Sequence, residues 1–221
     1  AGIYEAMKQL DDALGYYQGA LEIFKQLKNA YPENSDYLCN YSISLGDLAG
    51  IYKAMNQFDD TLGYYQEALE IFKQLKNDYP ENPDYLSHYS ISLGDLAGIY
   101  KAMNRPDDAL RYYQEALEIF KQLKNDYPEN PDYLYNYSIC LSAISEIYEV
   151  MKQFDDALGY YQEALEIRKQ LKVAYPENSV YLRYYSVSLN QVAGIYEVMK
   201  QLDDALGYYH CLLYISPSPR D

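Results

Sequence analysis

The pair Tyr-Tyr occurs at Tyr16-Tyr17, Tyr64-Tyr65, Tyr112-Tyr113, Tyr160-Tyr161 and Tyr208-Tyr209, always at a step of 48 residues. A period of this size marks an array of small units, none of which can bury its apolar face alone, so each must stack on its neighbours. Around the central pair runs Asp107-Asp108-Ala109-Leu110-Arg111-Tyr112-Tyr113-Gln114-Glu115-Ala116-Leu117-Glu118-Ile119, and near-copies of it recur along the chain. A length of 221 residues would suit one or two globular domains. The repeat overrides that prior and predicts one quasi-linear stack, with contacts mostly between neighbouring units.

The punctuation between copies is regular. Tyr-Pro-Glu-Asn begins at Tyr31, Tyr79, Tyr127 and Tyr175; the proline ends one helix and the asparagine is a preferred N-cap for the next. In two copies Pro83 or Pro131 follows, at the first helical position, where a missing N–H costs nothing. From Pro83 to about Met103, Leu86, Tyr89, Leu93, Leu96, Ala97, Tyr100 and Met103 step by threes and fours, which is one helical face. A short polar break at Asn104-Arg105 precedes a second helix, opened by Asp107-Asp108 and carrying Ala109, Leu110, Tyr113, Ala116, Leu117, Phe120 and Leu123 on one side. Each helix is about 20 residues, or roughly 30 Å, and breaks this short force antiparallel neighbours. At the start of the chain the same frame predicts the tail of one helix over residues 1–7 and a separate helix from Leu10 to about Asn29.

Leu93, Leu96, Ala97, Tyr100, Ala109, Tyr113 and Ala116 occupy the places of the pattern Trp-x2-Leu-Gly-x2-Tyr, then Ala-x3-Phe, then Ala. On these residues every unit resembles the tetratricopeptide family. The resemblance implies an all-α fold, an α-solenoid of antiparallel helix hairpins wound as a superhelix, that binds protein segments. The departure is in the period, which exceeds the family's usual 34 residues by about 14. That is almost four helical turns, so both helices can lengthen by about two turns with their faces in phase.

The 33 acidic and 18 basic residues leave a formal net charge of −15, which opposes binding to phosphate backbones and anionic membrane surfaces. Hydrophobic residues, 49% of the chain, are dispersed at short spacings, and no run is long enough to span a bilayer. The expectation is a chain without nucleic-acid or membrane partners. Cys39 and Cys140 occupy different places in the frame, so the three cysteines are expected to be buried free thiols. No basic and apolar leader is present, and a cytoplasmic location is expected. Ala1-Gly2-Ile3-Tyr4 matches Ala49-Gly50-Ile51-Tyr52, which sets the first residue inside a repeat. The array over residues 1–210 then holds about four and a half repeats, truncated at both ends, and its uncapped end faces predict self-association. At Cys211-Leu212-Leu213-Tyr214-Ile215-Ser216-Pro217-Ser218-Pro219-Arg220-Asp221 the repeat fails where Glu-Ala-Leu-Glu is due. Residues 211–221 resemble a translated sequencing adapter, apart from Ile215, and are read as a non-native tail; the alternative is a natural Pro-rich terminus.

Five carboxylate pairs, from Asp11-Asp12 through Asp59-Asp60, Asp107-Asp108 and Asp155-Asp156 to Asp203-Asp204, are the first candidates for acid or metal chemistry. Each opens a second helix, where negative charge complements exposed N–H groups and the macrodipole, so a structural role is expected. His88 and His210 are the two histidines; His88 stands where other units have Asn40, Asn136 and Tyr184 and is read as a variable surface position. No Gly-rich phosphate loop or zinc spacing occurs. The chain is therefore read as no enzyme, with no cofactor and no metal. The 30 tyrosines are mostly a few positions multiplied, and core packing with the hydroxyl at an edge is the expected role.

The second helix is nearly uniform between units, while the first varies at spaced places. Gly46, Gly94, Ser142 and Asn190 share one place, and Asp47, Asp95, Ala143 and Gln191 the next. Gly50, Gly98, Glu146 and Gly194 share another, followed by Lys53, Lys101, Glu149 and Glu197. Steps of one, three and three gather these positions on one face of the first helix, away from the Leu/Tyr stripe. In the resembled family that face lines a concave groove for peptides. These residues are the candidate partner-binding site, for an extended or helical segment, with drift on a solvated face as the alternative. The Lys, Asn and Arg set with which some members hold a terminal carboxylate is missing. The expected function is a protein-interaction scaffold; the alternative is a non-catalytic spacer or regulatory array of a larger signalling ATPase or protease.

Overall fold

The computed structural model describes the backbone of residues 2–215 and the side chains of residues 9–212. Among these residues there are nine helices and no strand: α1 (Gly2–Ala30), α2 (Ser35–Ala54), α3 (Phe58–Asp78), α4 (Pro83–Ala102), α5 (Pro106–Asp126), α6 (Pro131–Val150), α7 (Phe154–Ala174), α8 (Ser179–Val198) and α9 (Leu202–Ile215). The chain forms two units, residues 1–119 and 120–221. Each is a stack of antiparallel helix hairpins of the α-solenoid class. In the first α1 packs on α2, α2 on α3 and α3 on α4; in the second α6 packs on α7, α7 on α8 and α8 on α9.

Both kinds of boundary follow from local chemistry. Asn34, Asn82, Asn130 and Asn178 are N-caps, and each side chain accepts hydrogen bonds from the N–H groups two and three residues on. The first helices end on a left-handed residue: Asn56, Asn104, Lys152 or Lys200, at φ of 57 to 62°. At the first of these the Asn56 N–H bonds Lys53 O and the Gln57 N–H bonds Tyr52 O, the two bonds of a Schellman closure. The acidic pairs do lie in the first turns of α3, α5 and α7. The Gln57 and Gln153 side chains make no cap bond, so the acids act there through the field of the helix terminus.

The expected break near residue 8 is absent, and α1 runs unbroken from Gly2 to Ala30. A left-handed residue costs about 1–2 kcal/mol, which in the other copies is offset by packing a 20-residue first helix against its partner. In α1 the continuous helix avoids that cost.

Tyrosines form the seams. Tyr41, Tyr89 and Tyr137 each bury the ring and donate the hydroxyl to a glutamate of the following helix, Glu67 (2.8 Å), Glu115 (2.7 Å) and Glu163 respectively. Lys28, Lys76 and Lys124 lie over these same rings at 4.0 to 4.3 Å, adding a cation–π contact. A second series stacks across each hairpin: Tyr52 on Tyr64, Tyr100 on Tyr112, Tyr148 on Tyr160 and Tyr196 on Tyr208, with centroids 5.3 to 5.6 Å apart. The thiols differ from the expectation. Cys140 is buried, but Cys39 is only half-buried and Cys211 is exposed, because Cys211 stands where the frame has a solvent-facing glutamate. The backbone of residues 211–215 continues α9; the rest of the expected tail, 216–221, lies outside the described residues.

Candidate functional site

In the first unit the variable face of α2 and α4 opens on a cavity of about 420 Å³. Gly46, Asp47 and Gly50 of α2 and Asp95 of α4 are on its wall, four of the residues singled out from the repeat. A Cβ placed on Gly46 or Gly50 would meet nothing within 4 Å, so the missing side chains keep this space open. At Gly98 a Cβ would lie 3.4 Å from the Tyr113 hydroxyl and 3.6 Å from Lys53 Nζ, and at Gly94 3.9 Å from the Tyr113 ring. These two glycines instead admit a neighbouring helix.

The rest of the wall comes from residues that unit-by-unit comparison of the first helix does not single out. Phe72 of α3 and His88 of α4 stack at 5.2 Å and 15° to form an aromatic floor. His88 is therefore half-buried against the second helix and not a surface position, and burial holds its imidazole below the usual pKa. Tyr65 is 5% exposed, and its hydroxyl makes no hydrogen bond among the described residues. Its counterpart Tyr161 donates to Glu149 at 3.1 Å; Lys53 holds the position of Glu149 in the first unit, and an ammonium cannot accept that bond. Burial raises the Asp95 carboxyl to about 6, Lys53 opposes the rise and Asp47 adds to it. Burial also raises Asp47.

The corresponding face of the second unit is filled. Arg168 replaces Phe72 in the repeat frame and is 2% exposed. It donates from Nε to Ser138 Oγ (3.1 Å), from Nη2 to Ser138 O (3.1 Å) and from Nη1 to Ser188 Oγ (2.6 Å). Its guanidinium lies over Tyr184, the counterpart of His88, at 5.2 Å. Ser142 is buried with its hydroxyl unpaired, Gln191 Nε2 donates to Glu146 at 3.4 Å, and Glu149 faces Tyr161. Glu197 hydrogen-bonds Tyr209 in the same way. Asn190 is exposed and Gly194 half-buried, and neither joins this cluster; Lys101 is half-buried in the first unit, outside the cavity. The paired exchange of Phe72 with His88 for Arg168 with Tyr184 was visible in the sequence, and would have pointed to these positions.

Among the described residues no group of three or more His, Cys, Asp or Glu side chains could hold a metal ion, and no helix is long and apolar enough to cross a membrane. The site offers concave shape, two carboxylates, an aromatic floor and an unpaired hydroxyl, which suits binding and orientation of a side chain.

Among solved structures, the apo form of RapI matches all of the chain at 19% identity and a TM-score of 0.70, with 53% of RapI covered. BtubC (BKLC) from P. vanneervenii matches 96% of the chain at 17% identity and a TM-score of 0.55, with 95% of that protein covered. The nearly identical TPR-like repeats of a Podosopora anserina putative kinesin light chain match 96% at 20% identity and a TM-score of 0.53, with 91% covered. These likenesses are of fold. No curated protein sequence matches the chain. The profile of the tetratricopeptide repeat matches residues 40–122 and 89–170, more than half of the sequence, and the chain belongs to the tetratricopeptide repeat family.

Proposed function

We propose that the chain is a protein-interaction scaffold whose variable first-helix face binds an extended or helical segment of another protein, without catalysis of its own. Tetratricopeptide repeats are generally scaffolds of this kind. The observation that carries the reading for this chain is the open cavity on that face, where a Cβ on Gly46 or Gly50 would meet nothing within 4 Å. A volume of about 420 Å³ is within the range of sites that hold small ligands or the side chains of a bound segment. In the second unit the corresponding first-helix face carries Glu146, Glu149 and Gln191 as polar groups.

Phage-displayed peptides selected against the full chain test this reading. Binders should lose about tenfold or more in affinity when Gly46→Ser and Gly50→Glu, the residues of the second unit, are introduced to fill the space. Binders indifferent to these substitutions would count against the face as the site.

A further inference from the structure

The second unit shows what the first unit's cavity is shaped to accept. Stepping back by two repeats carries Ser138 to Ser42, Ser188 to Ser92, Tyr184 to His88 and Arg168 to Phe72, and all four of these first-unit residues line the cavity. The second unit thus seats a guanidinium between two serines and over an aromatic ring, supplied by its own α7. In the first unit Phe72 stands where Arg168 does, so the second helix supplies no cation at that place. The aromatic floor remains, and the neutral pair Ala143 and Gln191 is replaced by the carboxylates Asp47 and Asp95.

We propose that this cavity is a binding site for a basic side chain, arginine in particular, projecting from a protein segment that lies across α2 and α4: the carboxylates of Asp47 and Asp95 and the unpaired Tyr65 hydroxyl surround an aromatic floor of Phe72 and His88. The inference rests on the scaffold reading and adds the chemistry of the ligand. A guanidinium has five donors in one plane. It can bond both carboxylates and the Tyr65 oxygen while its face lies on the floor, where cation–π attraction is strongest for a desolvated cation. The field is already prepared. No salt bridge joins Lys53 to Asp95 among the described residues, so neither acid is neutralised at contact distance. The bound cation would complete Tyr65 as an acceptor, in place of the donation that Tyr161 makes to Glu149.

The test is an amide NMR titration of the full chain with N-acetyl-arginine amide, and in parallel with its neutral isostere N-acetyl-citrulline amide. Arginine should produce saturating shifts confined to Gly46, Gly50, His88 and Asp95 and their neighbours, with affinity at least about tenfold above citrulline. Asp47→Ala with Asp95→Gln copies the residues of the second unit and should abolish the difference without unfolding the chain. Phe72→Arg with His88→Tyr should supply the cation internally and exclude the added arginine; circular dichroism checks that the fold is kept. Equal binding of the two probes, or a response unchanged by Asp47→Ala with Asp95→Gln, would overturn the inference. Selected peptides that bind this face without a basic residue would sink the arginine site while leaving the scaffold intact. A specific arginine response without any peptide binders would leave the site standing and remove the scaffold reading.

Discussion

Replacing Arg168 by phenylalanine restores in α7 the residue that Phe72 and Phe120 supply in α3 and α5, and it is expected to stabilise the protein. Burial lowers the guanidinium from its usual range to about 10, which corresponds to roughly 3 kcal/mol of unfavourable solvation of the charged form at pH 7. A base with a depressed folded-state pKa burdens the fold fully below about pH 10, and the burden fades only as pH rises toward the ordinary arginine range. Tyrosines ionise in that window, so substitution is the cleaner probe. Against the gain, the Ser188 hydroxyl loses the donor at 2.6 Å, at a cost of about 1 kcal/mol. Ser138 still donates to Tyr135 O at 2.7 Å and is not orphaned. A phenylalanine on Tyr184 adds aromatic contact of about 0.5–1.5 kcal/mol. The guanidinium–Tyr184 contact that is lost offsets about 0.5–2 kcal/mol of this, so the expected net effect is a gain of about 1–3 kcal/mol, in line with other exchanges of buried charge for packed hydrophobes. Urea unfolding followed by far-UV circular dichroism reads the total, and amide hydrogen exchange in α6, α7 and α8 locates it. Because repeat arrays need not unfold in one step, the exchange data carry the decision. A loss of more than about 1 kcal/mol in those helices would show that the serine bonds outweigh desolvation, and the reasoning would fail. Arg168→Ala, which keeps neither charge nor volume, should instead destabilise by about 2–4 kcal/mol.

The Asp95 carboxyl should titrate near pH 6 when followed by carbon NMR, and Asp47→Ala should lower that midpoint while Lys53→Met raises it. Since ionised Asp95 holds the cation, arginine should bind about tenfold more weakly at pH 5 than at pH 7.5; burial keeps the Tyr65 hydroxyl neutral, and His88, held below its usual pKa by burial, can only add repulsion on the acid side. A pH-independent affinity would argue against Asp95 as the counter-ion. Lys152 holds a left-handed conformation at φ 61°. Lys152→Gly should therefore raise stability by about 0.5–1 kcal/mol, seen as a higher thermal midpoint; a lower one would mean that the lysine side chain contributes more than its backbone strain costs.

Most of the fold was legible because its determinants are local. The asparagine caps, the proline that follows two of them and the threefold and fourfold apolar spacing act within one or two turns of helix, and a 48-residue period multiplies each of them. The acidic pairs were legible as helix-start residues for the same reason. Local rules failed at α1, where the bend near residue 8 depends on packing against a full first helix and not on the residues of the bend.

The site was half legible. Variation between copies pointed to Gly46, Asp47, Gly50 and Asp95, because a repeat holds its packing positions constant and releases the others. It missed Tyr65, Phe72 and His88, since the first two belong to the uniform second helix and the third looked like one more variable surface residue. Only the tertiary structure brings α2, α3 and α4 around one space, leaves the Tyr65 hydroxyl without an acceptor because Lys53 replaces a glutamate, and sets Arg168 where the other unit is open. Periodicity along a chain determines which faces are buried. Which side chains from three helices converge, and which are left unpaired, is decided by packing across the helices.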